Sequence, residues 1–219
     1  MPGFNILPRC VRFHCICLLM AAYVPITCAG DYGLTARQPV TPYLNMPTSV
    51  FGALPQTLSA TGAFSDAASL IPNSNLIPFG VNSALWSDGA HKQRWIALPN
   101  DGAPYDASET VGFNATGEWT FPAGTVFVKH FELSIDDRNP AIRKRLETRF
   151  IVVQSGGNVY GVTYKWNDAG TDADLLPDSL NEGIGITTAD GGTRTQVYYY
   201  PSRFDCLNCH NANAGRILG

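Results

Sequence analysis

The sequence predicts a mainly β fold: an antiparallel sheet with few short helices, preceded by a proline-rich N-terminal arm. Three observations carry this prediction. Short runs of β-branched and aromatic residues recur after residue 90, glycine-rich segments separate them, and six prolines between residues 39 and 78 are spaced too closely for long helices. The chain has 219 residues, 45% of them hydrophobic, which suffices for one sizeable core.

The first thirty residues have the pattern of a secretory signal peptide. Arg9 and Arg12 precede an apolar run at residues 15–24 that ends in small residues, and the run is too short to span a bilayer. A lipid anchor on Cys28 is an alternative, disfavoured because Thr27 is a poor residue before such a cysteine. Export predicts a periplasmic or secreted protein with no membrane span in the mature chain.

The remainder divides into an arm at residues 31–85, rich in Pro, Ser and Thr, and a β-rich domain at residues 86–219. One short helix is expected at residues 65–70, where Ser65 could cap the first turn. The formal net charge of the chain is −3, which disfavours nucleic acid as a partner.

The β prediction rests on five runs of residues. They are residues 93–98, 124–133, 145–153, 159–166 and 195–200. Residues 154–158 predict a hairpin turn between two of them, whereas residues 168–192 are acidic and glycine-rich and predict a long loop.

Four of the six cysteines lie in or beside the predicted signal peptide, so the exported chain keeps Cys206 and Cys209. These two and His210 form the pattern Cys-x-x-Cys-His, which is typical of covalent haem attachment. Two thiols within one helical turn add across the two vinyl groups of one haem, and the adjacent imidazole ligates the iron. The sequence therefore predicts one covalent haem c.

The motif has three other interpretations: a zinc site, a redox dithiol and chance. Zinc needs four ligands, and the exported chain offers no further cysteine and only His91 and His130 besides His210. A thioredoxin-like dithiol would follow a first strand and precede a long helix, whereas this pair lies near the end of a β-rich chain. Whether the natural chain continues past Gly219 stays open.

The second axial position of the iron has several candidates. His130, or else His91, would give a six-coordinate electron carrier, and an empty position would give an iron that binds small molecules. Met46, the one methionine after the signal, falls in the arm and is expected far from the sheet.

Lys129 is an unusual residue for a predicted strand. Period-two alternation places it on one face with Phe127 and Phe131, and places His130 on the opposite face. A lysine between two phenylalanines must extend to an edge, pair with an acid or meet a cofactor.

The segment from Trp119 to Lys129, together with the C-terminal motif, resembles the cytochrome P-460 and cytochrome c′-beta family. The resemblance implies a c-type haem on an antiparallel sheet and, in hydroxylamine-oxidising members, a cross-link between the lysine matching Lys129 and the porphyrin. It also implies a distal glutamate, best matched by Glu147, and a strand arginine that corresponds to Arg94. From the residues alone, Glu147 alternates with Arg145 and Arg149 on one strand face, which predicts a solvated, charge-paired surface.

Residues 85–90, which run into residues 94–98, and residues 200–203 are also similar to secreted bacterial modules of unassigned function, some of which accompany sugar-dehydrogenase-like domains. That similarity implies electron transfer from a partner dehydrogenase. Two functions follow as expectations: a haem-binding electron-transfer module, or a small-molecule haem enzyme or sensor acting on hydroxylamine or nitric oxide.

Overall fold

The computed structural model of the chain describes residues 44–101, 103 and 106–217. These residues belong to one compact unit, Pro39–Gly219. The predicted signal peptide and the first part of the predicted arm lie outside the described residues.

The described residues are mainly β, as predicted. The strands are β1 (Phe64–Asp66), β2 (Ile71–Pro72), β3 (Ile77–Pro78), β4 (His91–Ala97), β5 (Val126–Ser134), β6 (Arg143–Val153), β7 (Val159–Trp166), β8 (Ala173–Leu175), β9 (Leu180–Thr187) and β10 (Thr193–Tyr200). One α-helix, α1 (Arg203–Cys209), follows, and short 3₁₀ turns span Ser59–Thr61, Ser87–Gly89 and Ala212–Ala214.

Six strands form one antiparallel sheet in the order β3-β4-β5-β6-β7-β8. Two smaller antiparallel pairs, β1-β2 and β9-β10, form separate hydrogen-bonded sheets. Each of the five predicted runs is a strand whose bounds differ from the prediction by two residues or fewer. The predicted turn at residues 154–158 is also confirmed, because the Gln154 N–H donates to the Asn158 carbonyl at 2.7 Å and Gly156 takes a φ of +86°.

The predicted loop at residues 168–192 is wrong. It contains β8 and β9, and β9 pairs with β10 through eight residues. The glycines that suggested a loop, Gly183 and Gly185, face outward on β9, while Ile184 and Ile186 between them are buried. The segment therefore alternates like a strand, but its outward positions carry no side chain.

The helix predicted at residues 65–70 is also wrong, because β1 and a turn occupy this segment. The Asp66 carboxylate accepts hydrogen bonds from the Ser69 N–H at 3.0 Å and the Ser69 hydroxyl at 2.7 Å. Such local side-chain bonds to the backbone compete with helix formation. Leu70 then takes a φ of +52°, which ends the turn.

The two faces of the six-stranded sheet are covered by different parts of the chain. One face, called here the apolar face, packs against residues 44–76 and includes Val128, Phe150 and Tyr164. The other, called the motif face, includes Phe127, Lys129 and Phe131 of β5 and packs against the β9-β10 hairpin and α1. The predicted alternation of Lys129 and His130 between faces is confirmed.

Met46 lies in the core of the apolar face rather than far from the sheet. Its side chain is buried, and its Sδ lies 4.0 Å from the Tyr164 hydroxyl. The described part of the predicted arm is thus a packed layer, because its apolar residues cover the sheet.

Among the described residues, no helix is long and apolar enough to cross a membrane.

Candidate haem-attachment site

Helix α1 presents the Cys-x-x-Cys-His motif, and its start is fixed by a capping box. The Ser202 hydroxyl accepts a hydrogen bond from the Asp205 N–H, and the Asp205 carboxylate accepts one from the Ser202 N–H at 2.8 Å. The Tyr199 hydroxyl of β10 also donates to Asp205, at 2.6 Å. These bonds hold the helix against the end of β10, so the motif has a defined place beside the sheet.

Cys206 packs directly on β7 because Gly161 has no side chain. A Cβ added at Gly161 would lie 2.6 Å from both Cβ and Sγ of Cys206, well inside van der Waals contact. Cys206 is buried, which raises the pKa of its thiol to about 11, and Cys209 is exposed. Both are free thiols, and their spacing of three residues puts them on one side of the helix.

His210 has one ring nitrogen committed to the backbone. Its Nδ1 lies 2.7 Å from the carbonyl oxygen of Arg216, which accepts a hydrogen bond from it. The turn that brings this carbonyl back is organised by Asn211, whose carbonyl accepts from the Arg216 N–H at 2.9 Å and whose side chain caps the N–H groups of Asn213 and Ala214. With the proton on Nδ1, the Nε2 lone pair is available to a metal.

The electrostatic surroundings also favour a neutral His210 ring. Burial lowers its pKa, the hydrogen bond to the Arg216 carbonyl raises it by less, and the charges of Lys129 and Arg149 lower it again, so the pKa lies below the ordinary value. The neutral ring is the form that ligates a metal. His210 directly follows helix α1, which packs on the motif face through the contact of Cys206 with Gly161.

Three basic residues stand side by side on this face, one on each of three neighbouring strands. Arg94 on β4 is directly opposite Lys129 on β5, and Lys129 is directly opposite Arg149 on β6. We call Arg94, Lys129 and Arg149 the cationic row. The next row along the strands on the same face is Phe127, Ile151 and Gly161. Cys206 packs against Gly161, so the motif and the cationic row share one region of the sheet.

Lys129 is half-buried among like charges. Burial, followed by the charges of Arg94 and Arg149, lowers its pKa to about 8. Its ammonium lies 5.6 Å from the centre of the Phe131 ring. The structure thus brings Lys129 to the face that carries the predicted haem motif.

Arg94 has two buried donors without a partner. Its Nε and Nη2 atoms are shielded from solvent and make no hydrogen bond. Burial lowers the pKa of the guanidinium. An orphaned pair of N–H groups on a charged side chain is costly, and buried donors in native proteins are nearly always paired with a protein group, an ordered water or an ion.

Glu147 is buried on the motif face, so the predicted solvated surface is wrong, whereas its predicted charge pairing with Arg149 is present. A β-bulge near Leu146 shifts the register, so Glu147 pairs with Phe131 while Arg145 turns to the other face and stacks on Trp166. Period-two counting puts Arg145 and Glu147 on the same face of β6, but the bulge between them puts them on opposite faces.

The Glu147 carboxylate is held by Arg149 and Tyr198. Arg149 donates from Nε to Oε2 at 2.8 Å and from Nη2 to Oε1 at 2.5 Å, and the Tyr198 hydroxyl donates to Oε1 at 2.6 Å. Burial works to lower the pKa of Arg149, but the Glu147 charge outweighs it and raises that pKa. Tyr198 was not predicted as a site residue, because this contact joins strands 51 positions apart and has no local signal.

The structure does not bring His130 or His91 to His210. His130 is fully buried on the apolar face, where its Nδ1 lies 2.9 Å from the Thr148 hydroxyl and its Nε2 lies 3.5 Å from Glu132 Oε1. His91 is exposed, and its Nε2 lies 3.1 Å from the Ser134 hydroxyl. Of the ligands suggested for the second axial position, neither histidine lies on the motif face.

In the part of the chain that the structure describes, no three His, Cys, Asp or Glu residues gather to hold a bare metal ion. A haem iron needs no such group, because the porphyrin supplies four ligands and the protein one or two. The donors present fit that case: two thiols on one side of a helix, one imidazole with a free Nε2, and an orphaned guanidinium edge on the same face.

Comparisons with protein-family models, with curated proteins and with solved structures found no match to this chain. The likeness to the cytochrome P-460 and c′-beta family therefore rests on the sequence motifs alone.

Proposed function

We propose that this chain is an exported monohaem c-type cytochrome module that binds one haem and transfers electrons. Cys206 and Cys209 would hold the porphyrin and His210 would ligate the iron. The observation that carries the proposal is the hydrogen bond from His210 Nδ1 to the Arg216 carbonyl, beside the paired cysteines. With Nδ1 donating to that carbonyl, Nε2 keeps its lone pair and is the ring atom that would ligate an iron.

When bound, haem c supplies one-electron chemistry. The chain's own residues would position the haem and shield it from solvent. The capping box orients the helix, Gly161 lets Cys206 seat against the sheet, and the Asn211 turn orients the imidazole. No catalytic residue is required for electron transfer.

The surface beside the motif suits a redox partner protein, for example a dehydrogenase. Phe204 and Leu207 of α1 and Val197 of β10 are exposed although apolar. Exposed apolar residues close to a haem edge are the kind of surface that transient electron-transfer complexes bury. The predicted signal peptide would place the encounter in the periplasm or outside the cell.

A second function, a small-molecule haem enzyme or sensor, is favoured by one specific arrangement. His130 and Met46 lie on the apolar face, whereas His210 lies over the motif face with Glu147. This arrangement suits an iron with an open distal position for hydroxylamine or nitric oxide. Glu147, hydrogen-bonded to Tyr198, would then move protons, and Lys129 is the candidate for the porphyrin cross-link that the family resemblance implies.

The test of haem attachment is the mass and the pyridine haemochrome spectrum of the chain matured in a host that attaches haem c. A thiol adds its S–H across a vinyl group without losing atoms, so attachment adds the whole mass of the haem. The Cys206→Ser, Cys209→Ser variant should lack that mass. A wild-type chain that matures without it would overturn the proposal.

The two functions are separated by added nitric oxide or cyanide. A Soret shift within seconds indicates an open iron site, and an inert spectrum indicates six-coordinate electron transfer. Lys129→Ala should restore an ordinary haem c spectrum if the lysine is cross-linked. Lys144→Ala is the matched control, because Lys144 pairs with the exposed Asp168 at 2.8 Å.

A further inference from the structure

Two arginines of the cationic row differ in the partners of their Nε and Nη2 atoms, which form one edge of the guanidinium. Arg149 directs Nε and Nη2 to the two oxygens of Glu147. Arg94 has the same two atoms buried and without a partner. Both arginines lie directly opposite Lys129, so the row contains one guanidinium edge filled by a carboxylate and one that is not.

The remaining charges nearby already have their own partners. The Lys92 ammonium of β4 donates to the carbonyls of Leu85, Trp86 and Ala90 at 2.6, 3.1 and 3.1 Å. Glu147 is held by Arg149 and Tyr198. Lys92 is itself a cation, and the carboxylate of Glu147 is occupied by Arg149, so the region of the motif face around Arg94 keeps an excess of positive charge.

The geometry of the orphaned edge selects its ligand. The N–H groups on Nε and Nη2 of a guanidinium are parallel and are spaced to meet two oxygens on one carbon. A carboxylate fits this edge side-on, as Glu147 fits Arg149. A single carbonyl or water fills only one of the two donors.

We propose that Arg94 is a carboxylate-binding residue, receiving through Nε and Nη2 both oxygens of one carboxylate that lies on the motif face. Two sources offer this chemistry: a propionate side chain of the haem, or a free small carboxylate. The first source rests on the proposed function, and the second does not.

The test begins with the full chain produced without haem and titrated calorimetrically with sodium propionate at constant ionic strength. We expect one saturable site in the wild type and about tenfold weaker binding in Arg94→Gln, since a charge-assisted pair of hydrogen bonds is removed. Arg94→Lys keeps the charge but not the fork, and should also bind more weakly. Arg138→Gln, at an exposed arginine paired with Asp136, is the matched control and should bind as the wild type does. Thermal midpoints of all four chains show that each is folded.

The haem-loaded chain identifies the source. If a haem propionate fills the edge, added propionate no longer binds, and the propionate bending band in the resonance Raman spectrum shifts in Arg94→Gln but not in Arg138→Gln. If a free carboxylate is the ligand, the loaded chain still binds propionate through Arg94 and the band stays in place.

The proposal is overturned if propionate titrations of wild type and Arg94→Gln superimpose in the haem-free chain and the Raman band is unchanged in the loaded one. Failure of haem attachment itself leaves the haem-free titration intact. The two proposals can therefore fail separately.

Discussion

The two faces of the six-stranded sheet differ in the kinds of side chain that they bury. On the apolar face, Val128, Phe150 and Val162 are fully buried, and its polar groups bond to each other, as the Trp166 N–H does to Thr148 at 3.0 Å. On the motif face, charged groups take the middle of the same strands. One side of the sheet thus carries the largest apolar cluster, whereas the other side combines two smaller apolar clusters with a row of charged side chains.

The difference shows where stability and chemistry reside. Apolar burial contributes to folding roughly in proportion to area. Buried charges contribute little net stability, because desolvation offsets their attraction. The charges of the motif face therefore add little to the stability of the fold, and changes on the two faces should give separable results.

The largest effect is expected on the apolar face. Phe150→Ala should lower the free energy of unfolding by about 3–5 kcal/mol, because it removes a large, fully buried ring and leaves a cavity. Phe51→Ala, at a ring that is 94% exposed, is the control and should change it by less than about 0.5 kcal/mol. Chemical denaturation measures both. Equal losses would show that the apolar face is not the core.

Next comes the buried ion pair of the motif face. Glu147→Gln should cost about 3 kcal/mol, because Arg149 is left as a buried charge without its counter-ion. Asp168→Asn is the matched control: Asp168 is 89% exposed, and its pair with Lys144 should contribute less than about 1 kcal/mol. A small loss at Glu147, equal to that of the control, would contradict the buried pairing.

The contact between helix and sheet gives a smaller but more specific effect. Gly161→Ala should cost about 1–3 kcal/mol, because the new methyl group meets Cys206 at 2.6 Å and displaces α1. The yield of attached haem should fall with it. Gly185→Ala is the control, since nothing lies within 4 Å of its added Cβ. A normal yield of attached haem in Gly161→Ala would show that haem attachment does not depend on the contact between Cys206 and Gly161.

Much of this contrast between faces could be predicted from the sequence. Period-two alternation correctly separated Lys129 from His130, because β5 itself is regular. Alternation correctly grouped Glu147 with Arg149 but wrongly grouped it with Arg145, because the bulge near Leu146 depends on how two strands pair and leaves no mark in either strand alone.

Strand β9, which was predicted to be a loop, does have a strand pattern in its sequence. Ile184 and Ile186 alternate with Gly183 and Gly185, which is a strand pattern with empty outward positions. The acceptor for His210 was not readable, because the Arg216 carbonyl reaches it only through a turn in which Arg216 takes a φ of +61°. Local periodicity predicts elements, whereas the site depends on contacts between them.

The smallest effect tests whether the faces are independent. His130→Gln should cost roughly 1–2 kcal/mol, because the buried Thr148 hydroxyl loses a partner. The absorption spectrum of the haem-loaded chain should nevertheless stay as in the wild type, since His130 lies on the face opposite His210. His91→Gln, at an exposed histidine, is the control for both readouts. If instead the spectrum of His130→Gln changes to that of a five-coordinate iron, His130 reaches the iron, and the separation between a structural face and a chemical face fails.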